Sequence, residues 1–147
     1  NVFMRKANNV FDVCKKIEEK IILKKNVDFI VVDFHAEVTS EKTAMGHFLD
    51  GKATCVVGTH THIPTADTRI LDKGTAYQTD IGMCGNYNSV IGMNKENSLK
   101  RFLNDKNAKD HFPAEGEATI SGVIVEGDEK TGLAKNITQI MLGKNLK

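Results

Sequence analysis

Gly58-Thr-His60-Thr-His62 sets two of the chain's five histidines two residues apart, directly after the apolar run Thr54-Cys-Val-Val57. Side chains of extended backbone alternate with period two, so His60 and His62 point the same way with Cα atoms about 6.6 Å apart. Two imidazoles so placed can converge on one metal ion or on two adjacent ones, and neutral imidazole is the commonest metal ligand of proteins. A second cluster, Asp33-Phe-His35-Ala-Glu37, ends another apolar run and sets an imidazole between two carboxylates. Neighbouring strands lie about 4.8 Å apart, and ligands of open α/β sheets bind beyond the strand ends, so His35 is within reach of His60 and His62. The expectation is a site of three histidines drawn from two strand-end loops. Asp33, Glu37 and Asp67 are the carboxylates that would orient imidazole N–H groups from behind; the alternative is that each is a solvated acid.

Other reactive residues carry less. His47 lies inside a helical pattern beside Phe48, and His111 precedes Pro113 in a polar stretch, so both read as structural or surface histidines. Gly82-Met-Cys84-Gly85-Asn86 is glycine-rich but lacks the Gly-x-Gly-x-x-Gly spacing and following helix of a phosphate cradle, and reads as a tight turn. Cys84 has no thiolate-stabilising partner nearby in sequence, which argues against a nucleophile.

The elements that must position these residues follow from periodicity. Apolar residues recur at three- and four-residue steps from Val10 to Ile22, predicting an amphipathic helix over 8–25. Asp28 to Phe34 and Thr54 to Gly58 are short apolar runs rich in β-branched residues, which suit strands covered on both faces. Ser40 is a candidate cap for a helix over 41–50, with Ala44, Met45, Phe48 and Leu49 inward and a stop at Gly51. Residues 68–71 and 75–79 flank a Lys73-Gly74 turn as a hairpin, and 94–104 is a helix with Leu99, Phe102 and Leu103 inward. Residues 118–126 and 133–142 read as a long antiparallel hairpin. The reading is an α/β fold in which 28–34 and 54–58 are sheet neighbours flanked by the first two helices, with the later hairpins in a second packed sheet.

Composition bounds what else the chain can do. At 147 residues and 40% hydrophobic it has the length of one domain with a real core. A net charge of +1 gives no global field for nucleic acid or an anionic membrane. No apolar run approaches the ~20 residues of a spanning helix, and the first residues lack a signal peptide's apolar core, so a cytoplasmic location is expected. Cys14, Cys55 and Cys84 are odd in number and widely spaced, which fits neither a disulfide framework nor a zinc knuckle. Nothing in the residues excludes a homo-oligomer.

Three segments carry a resemblance. Val32-Asp-Phe-His35-Ala-Glu-Val-Thr-Ser-Glu-Lys42, Val57-Gly-Thr-His60-Thr-His62-Ile-Pro-Thr-Ala-Asp67, and Gly74 to Met83 followed by Ser89-Val-Ile-Gly92 resemble the YmdB-like branch of the calcineurin-type metallophosphoesterases, in order through nearly the whole chain. The resemblance implies a four-layer α-β-β-α sandwich and two metal ions, usually iron or manganese with zinc the alternative, bridged by a hydroxide that attacks phosphorus. It implies a small-molecule phosphodiester substrate, a cyclic nucleotide such as 2′,3′-cyclic AMP. His35 and His60 would then belong to one metal and His62 to the other. Cys84, Asn86 and Val38 depart from the family pattern at turns, which touches substrate contacts more than ligation. The family's remaining ligands, a bridging carboxylate among them, and its general-acid histidine have no counterpart here. Residues 1–147 are thus expected to be the C-terminal part of a single metallophosphoesterase domain, as the opening on Asn1 also suggests. From the residues alone, a mononuclear zinc hydrolase using the three histidines and a non-catalytic α/β binding module remain open.

Overall fold

A computed structural model describes residues 9–146. Its elements are α1 (Val10–Glu18), β1 (Val31–His35), α2 (Thr39–Phe48), β2 (Cys55–Thr59), β3 (Arg69–Ile70), β4 (Ala76–Gln78), α3 (Lys95–Phe102), β5 (Ile120–Gly127) and β6 (Ala134–Leu142). One sheet has the order β1-β2-β4-β3, with β1, β2 and β4 parallel and β3 antiparallel to β4. The register sets Asp33 beside Val57 and His35 beside Thr59. The antiparallel hairpin β5–β6 forms a second, two-stranded sheet.

The two faces of β2 define two cores. Val56 joins Met45, Leu49, Ala53, Leu71 and Tyr77 on the helical side, where Val10, Phe11 and Cys14 of α1 also pack. Cys55, Val57 and Ala76 face the hairpin, against Val123, Val125, Ala134 and Ile137. The layers are therefore helices, mixed sheet and second sheet, a mixed α/β architecture. β1 and β2 are neighbours, as periodicity predicts. The 68–79 hairpin forms too, but in the first sheet: β4 is wholly buried and takes the parallel place beside β2. Among the described residues the last hairpin alone builds the second sheet.

Four local expectations are corrected. The helix expected over 8–25 is helical only to Glu18; the Asn26 side chain accepts from the Ile22 amide and donates to the Lys20 carbonyl, which diverts the backbone from further helical turns. The expected start at Asn8 lies outside the described residues. β1 is not covered on both faces: Val31, Asp33 and His35 are exposed, Val31 to 70%, because the β5–β6 hairpin packs over β2 and β4 but not over β1. α2 starts at Thr39 with no capping side chain, and its buried stripe is Lys42, Met45, Gly46 and Leu49, while Ala44 is exposed. α3 is turned outward. Buried Asn97 hydrogen-bonds the backbone of Lys109 and Asp110, anchoring the polar face and leaving Leu99, Phe102 and Leu103 56–78% exposed.

Candidate metal centre

β2 ends in a turn that a generic sequence would not adopt. A Cβ on Gly58 would overlap the Thr79 carbonyl oxygen and stand 2.8 Å from Lys42 Cδ, so only glycine lets the strand continue to Thr59. His60 then takes φ +127° and His62 φ +66°. Left-handed backbone at a residue with a Cβ costs on the order of 1–3 kcal/mol where it is strained and persists only when its surroundings impose it. The imposing contacts lie between the two histidines: the Thr61 amide donates to Asp80 Oδ2 at 2.9 Å and the Thr61 hydroxyl donates to the Ile63 carbonyl at 3.1 Å.

The same face of β1 and β2 orients the other imidazole. Thr59, opposite His35 in the register, donates its hydroxyl proton to Asp33 Oδ1 at 2.8 Å. Its oxygen therefore accepts from His35 Nδ1 at 3.0 Å, which puts the proton of His35 on Nδ1 and the lone pair on Nε2. His35 Nε2 meets His60 Nδ1 at 3.2 Å, with the rings edge to face and their centroids 5.0 Å apart. His62 Nδ1 stands 2.7 Å from the Ile91 carbonyl, an acceptor only, so its lone pair is likewise on Nε2.

These donors fit a metal. Two imidazole nitrogens 3.2 Å apart stand close enough that His35 and His60 would be able to hold one ion between them. In the ring contact His60 Nδ1 donates to His35 Nε2, a proton that an ion held by both nitrogens would displace, and both rings are exposed, open to ligands from elsewhere. The set is partial. Among the described residues no group of three or more His, Cys, Asp and Glu side chains stands close enough to hold an ion. His35 and His60 come together as a pair, and His62 is held apart on the Ile91 carbonyl.

The carboxylates divide. Asp33 orients His35 through Thr59. Glu37 is exposed in the loop after β1. Asp67 is neither a solvated acid nor behind an imidazole: it accepts from the Thr65 and Thr79 hydroxyls and the Thr79 amide and pairs with Arg69. Burial raises its pKa, but those hydrogen bonds and Arg69 outweigh burial and leave it below the ordinary value. Sequence reasoning missed Thr59, the Ile91 carbonyl and, beneath the turn, the ion pair of Lys42 Nζ with Asp80 Oδ2 at 2.7 Å, side chains 1% and 0% exposed. Thr59 has a legible signal: it lies on the same strand face as Val57, opposite His35. Burial also raises the Asp80 pKa, and donation from Lys42 and from the Thr61 and Gly82 amides reverses it to a net lowering.

Comparison with known proteins bears on what this arrangement belongs to. The description "YmdB-like protein" is that of a family model matching residues 1–140. The chain belongs to the YmdB-like family. Within it, the chain is 49% identical over 118 residues to the 2′,3′-cyclic-nucleotide 2′-phosphodiesterase of Bacillus subtilis (strain 168), covering 80% of this chain and 44% of that protein. It is 46% identical over 128 residues to a putative phosphatase/phosphodiesterase of Mycoplasma pneumoniae, covering 86% of this chain and 43% of the relative. Crystal structures agree: a novel phosphatase from Mycoplasma pneumoniae superposes with TM-score 0.82 at 40% identity, over 94% of this chain and 48% of that one. A hypothetical protein from Thermus thermophilus gives 0.81 at 37%, over 98% and 54%. This YmdB-like chain thus spans less than half the length of the curated relatives it matches.

Proposed function

We propose that this chain serves a metal-dependent phosphodiesterase that hydrolyses cyclic nucleotides of the 2′,3′-cyclic AMP kind. The observation that carries the reading is the 3.2 Å approach of His35 Nε2 and His60 Nδ1 at the carboxyl edge of the parallel pair β1–β2. The name of the 49% identical Bacillus subtilis relative supports the substrate class. In this reading His35 and His60 hold one ion and His62 the other, the ions being iron or manganese, with zinc the alternative. Bound metal polarises a phosphoryl oxygen and makes water a nucleophile at neutral pH. The chain's own residues present the ligands. The Asp33–Thr59 relay keeps the His35 ring still with its Nε2 lone pair outward, and the Ile91 carbonyl does the same for His62.

The domain reading belongs to the same proposal: residues 1–147 form the C-terminal part of one domain. Two features support it. Among the described residues β1 pairs with β2 alone, and beside its amino-terminal end an apolar groove of about 490 Å³ is lined by Cys14, Ile17, Ile21, Ile22, Ile30 and Val31. Both are what a further strand and its packing would cover. No helix among the described residues is long and apolar enough to cross a membrane, and three free thiols suit a reducing compartment, the cytoplasm.

Metal analysis and hydrolysis of 2′,3′-cyclic AMP by the full-length protein test the reading. Two ions per chain, activity removed by chelator and restored by manganese, and loss of turnover in His60→Ala and His62→Ala with the fold intact are the expected results. Chelator-resistant activity, or near-wild-type turnover in either variant, overturns it. One tightly bound zinc per chain would favour a mononuclear centre.

A further inference from the structure

Lys42 stands on α2 at the first position of the buried stripe Lys42, Met45, Gly46 and Leu49, where helical periodicity calls for an apolar residue. Its stem passes over Gly58 so closely that a Cβ there would meet Lys42 Cδ at 2.8 Å, and its ammonium reaches Asp80 Oδ2 at 2.7 Å. Asp80 lies two residues beyond β4 and spends both carboxylate oxygens locally. Oδ2 accepts from the Thr61 amide as well as from Lys42, and Oδ1 accepts from the Gly82 amide at 2.9 Å. The backbone of Asp80 is clasped from the same loop, its carbonyl accepting from the Thr65 amide and its amide donating to the Thr65 hydroxyl, both at 2.9 Å. Thr61 is the residue between His60 and His62, both of which hold positive φ.

The arrangement asks why a charged pair is buried where an apolar pair would pack. A salt bridge with both side chains out of water is seldom retained for stability, since hydrophobic replacements of similar volume do as well or better. A charged acceptor does something an apolar residue does not: it holds a backbone N–H by a charge-assisted hydrogen bond. Here the amide so held is the pivot of the turn that carries two candidate ligands.

We infer that Lys42 and Asp80 are positioning residues of the metal centre: Lys42 fixes the Asp80 carboxylate, which holds the Thr61 amide and so keeps His60 and His62 in the left-handed conformations that aim their imidazoles. The inference rests on the metal reading of those histidines. Neither residue touches metal or substrate. Their effect passes through the backbone of one turn, so it reaches the His60 and the His62 positions together.

Three variants of the full-length protein test it: Asp80→Asn, the charge-free double variant Lys42→Met/Asp80→Asn, and Val56→Ala, a core truncation elsewhere on β2. The readouts are amide hydrogen exchange at Thr61 without metal, Mn(II) affinity by titration calorimetry, and the split of kcat from KM. Exchange at Thr61 at least tenfold faster, with Val56 and Tyr77 amides unchanged, Mn(II) affinity at least tenfold weaker and kcat reduced more than KM, is expected for Asp80→Asn. The double variant keeps these losses while melting near the parent, and is decisive if Asp80→Asn alone fails to fold. Val56→Ala lowers the melting temperature yet leaves Mn(II) affinity within twofold. Parent-like Thr61 exchange and Mn(II) affinity in the double variant overturn the inference, as does an equal loss of affinity in Val56→Ala. A parent protein that takes up no Mn(II) overturns the metal reading instead, and Thr61 exchange then still decides whether the pair holds the turn.

Discussion

His60 combines a candidate ligand with φ +127°, and the two properties separate in one pair of variants. His60→Ala and His60→Gly both delete the imidazole and the exposed 3.2 Å contact with His35, so those losses cancel when the variants are compared with each other. Alanine keeps a Cβ in a conformation that costs roughly 1–3 kcal/mol, whereas glycine adopts it freely at an entropic cost of roughly 0.5–1 kcal/mol from the unfolded chain. The glycine variant is therefore expected to be the more stable by about 1 kcal/mol, or ~2–4 °C in melting temperature for a protein of this order of size. Measured against the parent, glycine loses an exposed hydrogen bond contributing at most about 1 kcal/mol and sheds the strain, so it should melt close to the parent. The assay is metal-free thermal or urea unfolding beside hydrolysis of a phosphodiester with manganese added. Both variants are inactive in this account while their stabilities diverge. Alanine equal to or above glycine in stability would refute the claim that the turn is held in strain, whatever the activities.

Gly58→Ala drives a Cβ into the Thr79 carbonyl oxygen, and the expected loss is more than ~3 kcal/mol, read as insoluble expression or a collapsed denaturant midpoint. The lowered pKa values of Asp67 and Asp80 mean that the unfolded chain binds their protons first; their stabilisation is complete above the ordinary carboxylate pKa of ~4 and is lost as pH falls through the lower folded values. A Lys42→Met/Asp80→Asn variant should accordingly show a shallower acid limb in melting temperature below pH ~4, and an unchanged limb would contradict it. Phe102→Ala, at a side chain 78% exposed, should shift stability by less than ~0.5 kcal/mol in urea unfolding, where an inward-facing phenylalanine would cost ~3–5 kcal/mol. Residues 1–147 expressed alone should bind at most one weak equivalent of Mn(II); two equivalents at micromolar affinity would defeat the reading of the chain as part of a domain.

What the sequence made legible was whatever repeats with a period. β2 is a run of β-branched and small apolar residues between polar neighbours, and it is a buried strand. The long hairpin alternates and pairs as alternation predicts. β1 has the same β-branched character as β2, yet its burial depends on which strands pair with it, and among the described residues only β2 does. Ala76-Tyr-Gln78 carries no pattern that marks a central strand; it is central because Gln78 satisfies its side-chain amide on the Thr65 and Asp80 carbonyls and Tyr77 on Thr79. α3 failed for the converse reason. Its apolar stripe is real, but a polar anchor at Asn97 decides which face turns in. His35 and His60 were legible because each follows or ends one of two neighbouring strands. The period of two that would aim His62 with His60 does not hold: β2 ends at Thr59, His60 and His62 both take positive φ, and His62 turns to the Ile91 carbonyl. Lys42 was not legible, since a lysine on a helix reads as solvated until its partner, 38 residues on, is known.

In the proposed two-metal reading, charge explains why the centre would need more than these histidines. Two dications ~4 Å apart repel by about 16 kcal/mol at an effective dielectric near 20, four times the ~4 kcal/mol of unit charges, and neutral imidazoles offset none of it. Apart from Glu37, exposed in the loop after β1, the candidate acids around the turn are engaged otherwise. Asp33 holds Thr59, Asp67 holds Thr65, Thr79 and Arg69, and Asp80 is neutralised by Lys42 while it holds Thr61. Each of these carboxylates shapes the backbone or a ring, and turning any of them toward an ion would dismantle the geometry that aims the ligands. A bridging carboxylate from outside these residues meets the electrostatic need without that loss. The edge of β1 that is unpaired among the described residues, and which ends at His35 itself, is where a strand bearing such a carboxylate would bring it nearest to the imidazole pair.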